Sequence, residues 1–352
     1  MIAIHKKEGT YSDEWIQYCE KQSIQYKLVD CYQTDIIDQL RNCDALMWHF
    51  SQAIPKDVVF AKQFLFALET AGKFVFPNFQ TMWHFDDKIG QKYLLEAIGA
   101  PLVPSYVFYS KTEALQWIDE TVFPKVFKLR GGASSENVKL VRTKEDAKKL
   151  VKRAFGKGFK QFNAYFYLKE SIRKYKLGES TVLDIIKKTI RLFKKLELDK
   201  FSQREKGYIY FQDFIANNDF DIRLVVVNNK AFGEKRFVRK NDFRASGSHM
   251  RQYDKEIINE ATLRISFEVA RKLKLQCVAF DFVYENGNPM IVEISFGTTP
   301  AAYKPCPGYW DSSLNFHEGT FDFCGWMVED FVEKINKMKT QNLISHSISS
   351  IK

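Results

Sequence analysis

Val278-Ala279-Phe280-Asp281-Phe282-Val283-Tyr284, then Glu285-Asn286-Gly287-Asn288-Pro289, then Met290-Ile291-Val292-Glu293-Ile294-Ser295 read as two strands around a turn. With the turn centred on Gly287, Asp281 and Glu293 stand opposite each other, because 287 lies midway between them. Two carboxylates side by side in apolar strands repel, and they are costly to bury unless a cation lies between them. Hard oxygen ligands of this kind suit Mg²⁺, which usually takes one or two carboxylates plus phosphate oxygens. Ser295, two residues beyond Glu293, points to the same face and can add a hydroxyl. The alternative is a pair of exposed acids on an ordinary hairpin.

Upstream of this hairpin, Tyr208 to Phe214, Asp221 to Val227 and Lys230 to Phe237 are strand-like, the last two joined by the turn pair Asn228-Asn229. A helix is expected from Glu256 to Leu273, with Ile257, Ala261, Leu263, Phe267, Ala270 and Leu273 on its apolar face. Earlier still, Lys125-Val126-Phe127-Lys128-Leu129 and Asn137 to Val141 flank the loop Arg130-Gly131-Gly132-Ala133-Ser134-Ser135-Glu136. Glycines let backbone N–H groups approach phosphate oxygens, and the serine hydroxyls can add donors, although an ordinary hairpin turn has the same composition. Lys128 in a strand needs an anionic partner or an exposed face. Lys88, Arg223, Arg236 and Arg244 raise the same question, and each taken singly reads equally as a surface residue or half of an ion pair.

Residues 1 to about 80 alternate strand-like runs (Ile2-Ala3-Ile4, Tyr26 to Val29, Ala45 to Trp48) with amphipathic stretches (Asp13 to Lys21, Asp35 to Arg41), the pattern of a parallel α/β unit. No Gly-x-Gly-x-x-Gly follows the first strand, so dinucleotide binding there has no support. Asp86-Asp87-Lys88 opens a helix to about Ala97, stopped by Gly99-Ala100-Pro101. The fold class is therefore α/β with added antiparallel sheet.

The chain's 352 residues are 45% hydrophobic and 27% charged, a globular profile that excludes wholesale disorder. Its apolar runs fall far short of the roughly 20 residues that span a bilayer. The start, Met1-Ile2-Ala3-Ile4, reads as a strand with no export signal, and six scattered cysteines without a Cys-x-x-Cys pair fit a reducing cytoplasm. The histidines show no metal-ligand spacing. The net charge of +10 is concentrated: Lys148 to Lys206 carries +12 and the remainder −2. Within that segment Val182 to Leu196 reads as a basic amphipathic helix, either packed on its own domain with a solvated face or docked against an anionic membrane surface or glycan carrier. Cys306 in Pro305-Cys306-Pro307 is either a reactive thiol or a structural loop residue.

Two lysines about 40 residues apart, a Gly/Ser loop after the second, arginines on later strands and a closing Asp/Glu hairpin occur in one order. This order resembles the ATP-grasp superfamily over about residues 86 to 300. The matching pieces are Asp87-Lys88; Pro124 to Lys128 with Gly131 to Ser135; Phe211-Gln212-Asp213-Phe214-Ile215; Asp221-Ile222-Arg223; and Phe280-Asp281-Phe282 with Ile291 to Ser295. Asn241 to Ser248 and Cys306 to Asp311 resemble a branch associated with bacterial surface-polysaccharide pathways.

The resemblance implies an ATP-grasp fold divided as follows: an N-terminal α/β domain over 1–85, a linker helix and lid with the basic insertion (148–206) over 86–211, a C-terminal subdomain over 212–335 and a frayed tail over 336–352. It implies that Lys88 and Lys128 hold ATP phosphates, that Gly131, Gly132, Ser134 and Ser135 close over them, and that Gln212, Asp213, Phe214 and Ile215 meet the adenine and ribose. Asp281 and Glu293, with Ser295 where the family usually has Asn, would hold Mg²⁺, the number of ions staying open. Asp213 also departs from the commoner Glu. Arg223, Arg236 and Arg244 would face the transferred phosphoryl group and the acyl substrate. The implied activity is an ATP-dependent ligase joining a small-molecule carboxylate, an amino acid or sugar acid, to an amine or hydroxyl through an acyl phosphate. The alternatives are a nucleotide or partner binder without catalysis, and a nucleic-acid-binding protein using the basic segment; the second finds no supporting motif. Oligomeric state is open.

Overall fold

The computed structural model describes residues 1–52, 54–132, 137–160, 204–239, 242–245 and 250–349. Four short strands, β1 (Ile2–His5), β2 (Tyr26–Val29), β3 (Ala45–Met47) and β4 (Phe74–Phe76), pair in the order β2-β1-β3-β4, all parallel. Helices α1 (Tyr11–Lys21), α2 (Ile36–Gln39) and α3 (Pro55–Thr70) connect them. Every residue of β1 and β3 is buried, as continuous apolar runs in a doubly covered parallel sheet require. Strand β4 and helix α3 had no counterpart in the sequence reading.

The chain then passes through α4 (Phe79–Met82) and α5 (Lys88–Ala97), whose N-cap Asp87 accepts from Gly90 N–H. A second, antiparallel sheet follows in the order β5-β8-β6-β7, built from β5 (Ser105–Phe108), β6 (Lys125–Lys128), β7 (Val138–Val141) and β8 (Ile209–Asp213). Helices α6 (Lys111–Glu120) and α7 (Lys144–Ala154) cover one face around Phe127, Phe211, Ala147 and Val151. Residues 161–203 of the basic insertion, including Val182 to Leu196, lie outside the described residues, as do Ser134, Ser135 and Ser246 to Ser248.

The third sheet is antiparallel, in the order β13-β12-β9-β10-β14-β15 with β11 also on β10. Its strands are β9 (Phe220–Val227), β10 (Lys230–Phe237), β11 (Arg251–Gln252), β12 (Cys277–Glu285), β13 (Asn288–Ser295), β14 (Gly308–Asp311) and β15 (Phe316–Glu318). One face, with Ile222, Leu224, Val226, Phe280 and Phe282, packs on α8 (Glu260–Lys272). The other face is divided. Val225, Val227, Phe232, Cys277 and Ala279 join the core of the N-terminal sheet together with Phe296, while the charged positions of the same strands stay clear of it.

The last helix, α9 (Phe323–Ser349), buries Phe323, Cys324, Met327, Val328, Phe331 and Ile335 in that shared core. It runs on through the Ser-, Lys- and Asn-rich stretch whose composition suggests a frayed end from 336. Among the described residues no helix is long and apolar enough to cross a membrane. Cys306 is buried with its Sγ 3.5 Å from Gly233 O, and burial pushes its thiol up to about 12, which leaves it inert.

Candidate active site

The hairpin places its two acids opposite each other, by a different route from a turn centred on Gly287. Asn286 and Gly287 form a two-residue turn, both at positive φ (51° and 81°), and Glu285 pairs with Asn288. A regular ladder from that turn would set Asp281 against Val292. Instead a bulge between Phe282 and Asp281 takes up Val292 as an extra residue, and Asp281 pairs with Glu293. The pairing then continues across the sheet: Asp281 stands beside Arg223, and Arg223 beside Glu234. One row of charges, Glu293, Asp281, Arg223, Glu234, therefore crosses four strands on the face left open by the N-terminal sheet. The neighbouring row holds Asp221, Arg236 and Arg251.

These side chains are interlocked. Arg236 donates to both oxygens of Asp221 at 2.7 Å and lies 3.0 Å from Asp281 Oδ1, and Arg223 donates to Asp281 at 3.2 Å. Burial disfavours charge on Asp281, but Arg223 and Arg236 outweigh it and hold the carboxyl below its ordinary value. Asp221, which shares Arg236 with Asp281, is lifted instead by its burial.

Above this face lie two adjoining cavities. The first, about 440 Å³, is walled by Val103, Val126, Val138, Val283 and Val292, with Gln212, Asp213, Phe214 and Ile215 along one side and Asp281, Glu293 and Ser295 along another. Among the described residues its lining has five acidic side chains (Asp86, Asp213, Asp221, Asp281, Glu293) against three cationic ones (Lys128, Arg223, Arg244). The second, about 760 Å³, reaches to the N-terminal sheet. Among the described residues it has four cations (Lys7, Arg223, Arg236, Arg251) against one acid, Glu234. Arg223, Gln52, Phe85, Ala245, Gly297 and Thr299 line both. His49 also lines the second cavity; its Nδ1 accepts from Tyr11 N–H at 3.2 Å, and burial brings it down to about 3, so it is a neutral imidazole.

Lys128 lines the first cavity, with its Nζ donating to Gln212 Oε1 at 2.6 Å. Burial lowers it to about 8, against the pull of Glu293. The Gln212 amide is held in turn by Ser105 Oγ at 3.0 Å, so its side chain serves Lys128 and the inter-strand packing. Lys88, 5% exposed, stands behind the wall: its Nζ donates to Gly132 O at 2.8 Å and lies 3.3 Å from Glu293 Oε1. Asp86 completes this latch by accepting from Gly132 N–H at 2.8 Å, and Lys88 N–H donates to Arg130 O. Gly132 has φ +119, and a Cβ there would meet Asn137 Nδ2 at 2.7 Å. Gly131 and Gly132 are thus fixed to the start of α5 and do not themselves line the cavity. Of the three arginines expected around the reacting groups, Arg223 lines both cavities, Arg236 the second alone, and Arg244 the first while gripping Asp242 at 2.6 Å.

Sequence reasoning missed Asp86, Asp221, Glu234 and Arg251 as lining residues. The signal for Asp221, Glu234 and Arg236 was present, since charges two apart with Arg223 on otherwise apolar strands share one face. Lys7 and His49 carried none, because only the docking of the N-terminal sheet brings them in.

A family model described as a RimK-like ATP-grasp domain matches residues 165–301, which include β8 to β13 and the Asp281/Glu293 hairpin. Solved structures share the fold along almost the whole chain. An ATP-grasp RimK domain protein from Sphaerobacter thermophilus has a TM-score of 0.55 at 14% identity, covering 94% of this chain and 98% of its own. A D-cycloserine synthetase has 0.56 at 14% identity, covering 94% and 99%. A D-alanine–D-alanine ligase from Bacillus anthracis, complexed with ATP, has 0.54 at 12% identity, covering 96% and 97%. No curated protein matches the chain.

Proposed function

From the premise that this chain has the ATP-grasp fold, we propose that it is a ligase that spends ATP to join a carboxylic acid to an amine. The observation that carries the reading is the opposite charge of two cavities meeting at Arg223. The cationic second cavity suits an acid. The first cavity suits a triphosphate best with added positive charge, because the cations beside its acids, Lys125, Arg236, Arg223 and Lys88, are already engaged by Asp213, Asp221, Asp281 and Glu293.

Asp281, Glu293 and Ser295 fit Mg²⁺ as the source of that charge. They offer two carboxylates and a hydroxyl on one wall, hard donors in the small number this ion takes from protein. Glu293 keeps a third of its side chain exposed to receive it. Bound there, the ion supplies countercharge to the β and γ phosphates.

The chain's own residues divide the remaining work. The valines and Phe214 and Ile215 give the adenine an apolar slot, Lys128 neutralises phosphate oxygens from β6, and Lys88 keeps the glycine loop seated on α5. Arg223, between the cavities, stabilises the phosphoryl group as the acid's carboxylate oxygen attacks the γ-phosphorus and ADP leaves. Acceptor nitrogen then bonds to the acyl carbon, and inorganic phosphate leaves.

The association with surface polysaccharides enters as a proposal for the acid class, which makes sugar acids the first acids to try beside amino acids. Calorimetric titration with AMPPNP and Mg²⁺ tests the nucleotide site: wild type binds and Lys128→Ala does not. Absence of binding by wild type, or unchanged binding by the variant, would sink the reading.

A further inference from the structure

Among the described residues Glu234 is the one acid lining the cationic cavity, and it is 2% exposed. Its Oε2 accepts from Arg251 Nη1 at 2.8 Å, and among the described residues Oε1 has no protein donor. A guanidinium has five N–H groups, so Arg251 keeps donors beyond those given to Glu234 and to the neighbouring Tyr253 hydroxyl. Tyr253, which also lines this wall, is fixed by its hydroxyl to Ala302 O at 2.8 Å. Only Glu234 is fully buried in this pair, and burying a carboxylate costs desolvation that a single partly exposed guanidinium only partly repays, which leaves it suited to a second cation from the cavity.

Its position matters as much as its chemistry. Glu234 ends the row Glu293, Asp281, Arg223, Glu234. Adjacent strands lie about 4.8 Å apart, which sets Glu234 about 10 Å across the sheet from Asp281 with Arg223 between. One end of the row faces the first cavity and the other end faces the second.

A carboxylate touching a guanidinium is the complement of an ammonium beside a carboxylate. We propose that Glu234 and Arg251 form the acceptor site for an α-amino acid, Glu234 holding its ammonium and Arg251 its carboxylate. The assignment rests on the ligase reading above and names the acceptor class that reading leaves open. In the transfer step Glu234 Oε1 takes one ammonium proton, and the freed lone pair attacks the acyl carbon of the acyl phosphate. The bond from acyl carbon to phosphate oxygen breaks, and the departing phosphate takes the second proton as the amide forms.

The experiment uses the full chain with ATP and Mg²⁺. A panel of amino acids and sugar acids is first screened with hydroxylamine, an uncharged nucleophile without a carboxylate, and hydroxamate identifies the acid that is activated. That acid is then offered alanine, the other common amino acids and 1-aminopropane. Wild type is expected to couple an amino acid in preference to 1-aminopropane. In Glu234→Gln the ratio of amino-acid coupling to hydroxylamine trapping falls about 100-fold, the lower range for loss of a proton-transfer group. Arg251→Met, a partly exposed position suited to a test should Glu234→Gln fail to fold, raises the KM for the amino acid and not that for hydroxylamine.

Undiminished amino-acid coupling in both variants, or equal kcat/KM for alanine and 1-aminopropane, overturns the acceptor site alone. Absence of hydroxamate with every acid overturns the ligase reading and the acceptor site with it.

Discussion

Lys128 shows how much of this site rests on one side chain in one setting. It occupies a strand whose four residues are all buried, and its hydrogen-bond partner, Gln212 Oε1, is neutral. Burial therefore dominates and brings it to about 8, with Glu293 opposing and Lys88 assisting the fall. A bound phosphate favours the charged form and raises it again. Between the free and bound values binding takes up a proton, so affinity falls as pH rises. Kd for AMPPNP should be flat below pH 8 and weaken about tenfold per unit above it, measured by calorimetry between pH 7 and 9.5. Lys128→Arg, charged throughout, should remove the slope. A pH-independent Kd in the wild type would show that Lys128 does not touch the phosphates. The sequence flagged Lys128 because a lysine in an apolar strand needs a partner; it did not show that the partner is an amide.

At the scale of elements, the charged row depends on close pairing of β9 with β10. Gly233 lies between Phe232 and Glu234, and a Cβ there would come within 2.6 Å of Arg223 O and 3.0 Å of Ile258 and Leu224 side chains. The nearest of these is backbone, which cannot move aside without opening the strand pair. Gly233→Ala is expected to destabilise the protein by about 1–3 kcal/mol, read from denaturant unfolding. It should also depress ligation, because Arg223 and Glu234 are displaced together. Wild-type stability in this variant would mean that the two strands are free to separate. Alternating charge and apolar residues made β9 and β10 legible, and Asn228-Asn229 marked their turn. The bulge at Val292 was not legible: nothing local in Met290-Ile291-Val292-Glu293 announces an unpaired residue, and it exists because pairing with Asp281 and packing on α8 together select it.

For the molecule as a whole, the decisive contact is between the N-terminal sheet and the divided face of the large sheet. Tyr11, from the first turn of α1, donates its hydroxyl to Phe296 O at 3.1 Å, bonds Thr298 Oγ1 at 2.8 Å and accepts from Thr298 N–H at 2.8 Å. Its ring stacks on His49 at 3.8 Å between centroids. Tyr11→Phe keeps the ring and strands the Thr298 N–H. The expected loss is about 1–3 kcal/mol in denaturant unfolding, the cost of leaving the partly buried Thr298 N–H and the Phe296 carbonyl without their partner. No change in the unfolding midpoint would show that the hydroxyl is dispensable to the docking.

The sequence by itself determined the order of the chemical groups and the alternation that puts Asp221 with Arg223, and Glu234 with Arg236, on one face of their strands. Both follow from local periodicity, which backbone geometry enforces strand by strand. Only the tertiary structure decided what those groups do for one another. Strand order set Arg223 between Asp281 and Glu234, and the docked N-terminal sheet added Lys7 and His49. An acidic cavity and a cationic one meeting at Arg223 arise from neighbours far apart along the chain, and the period of a strand carries no information about which strand will lie beside it.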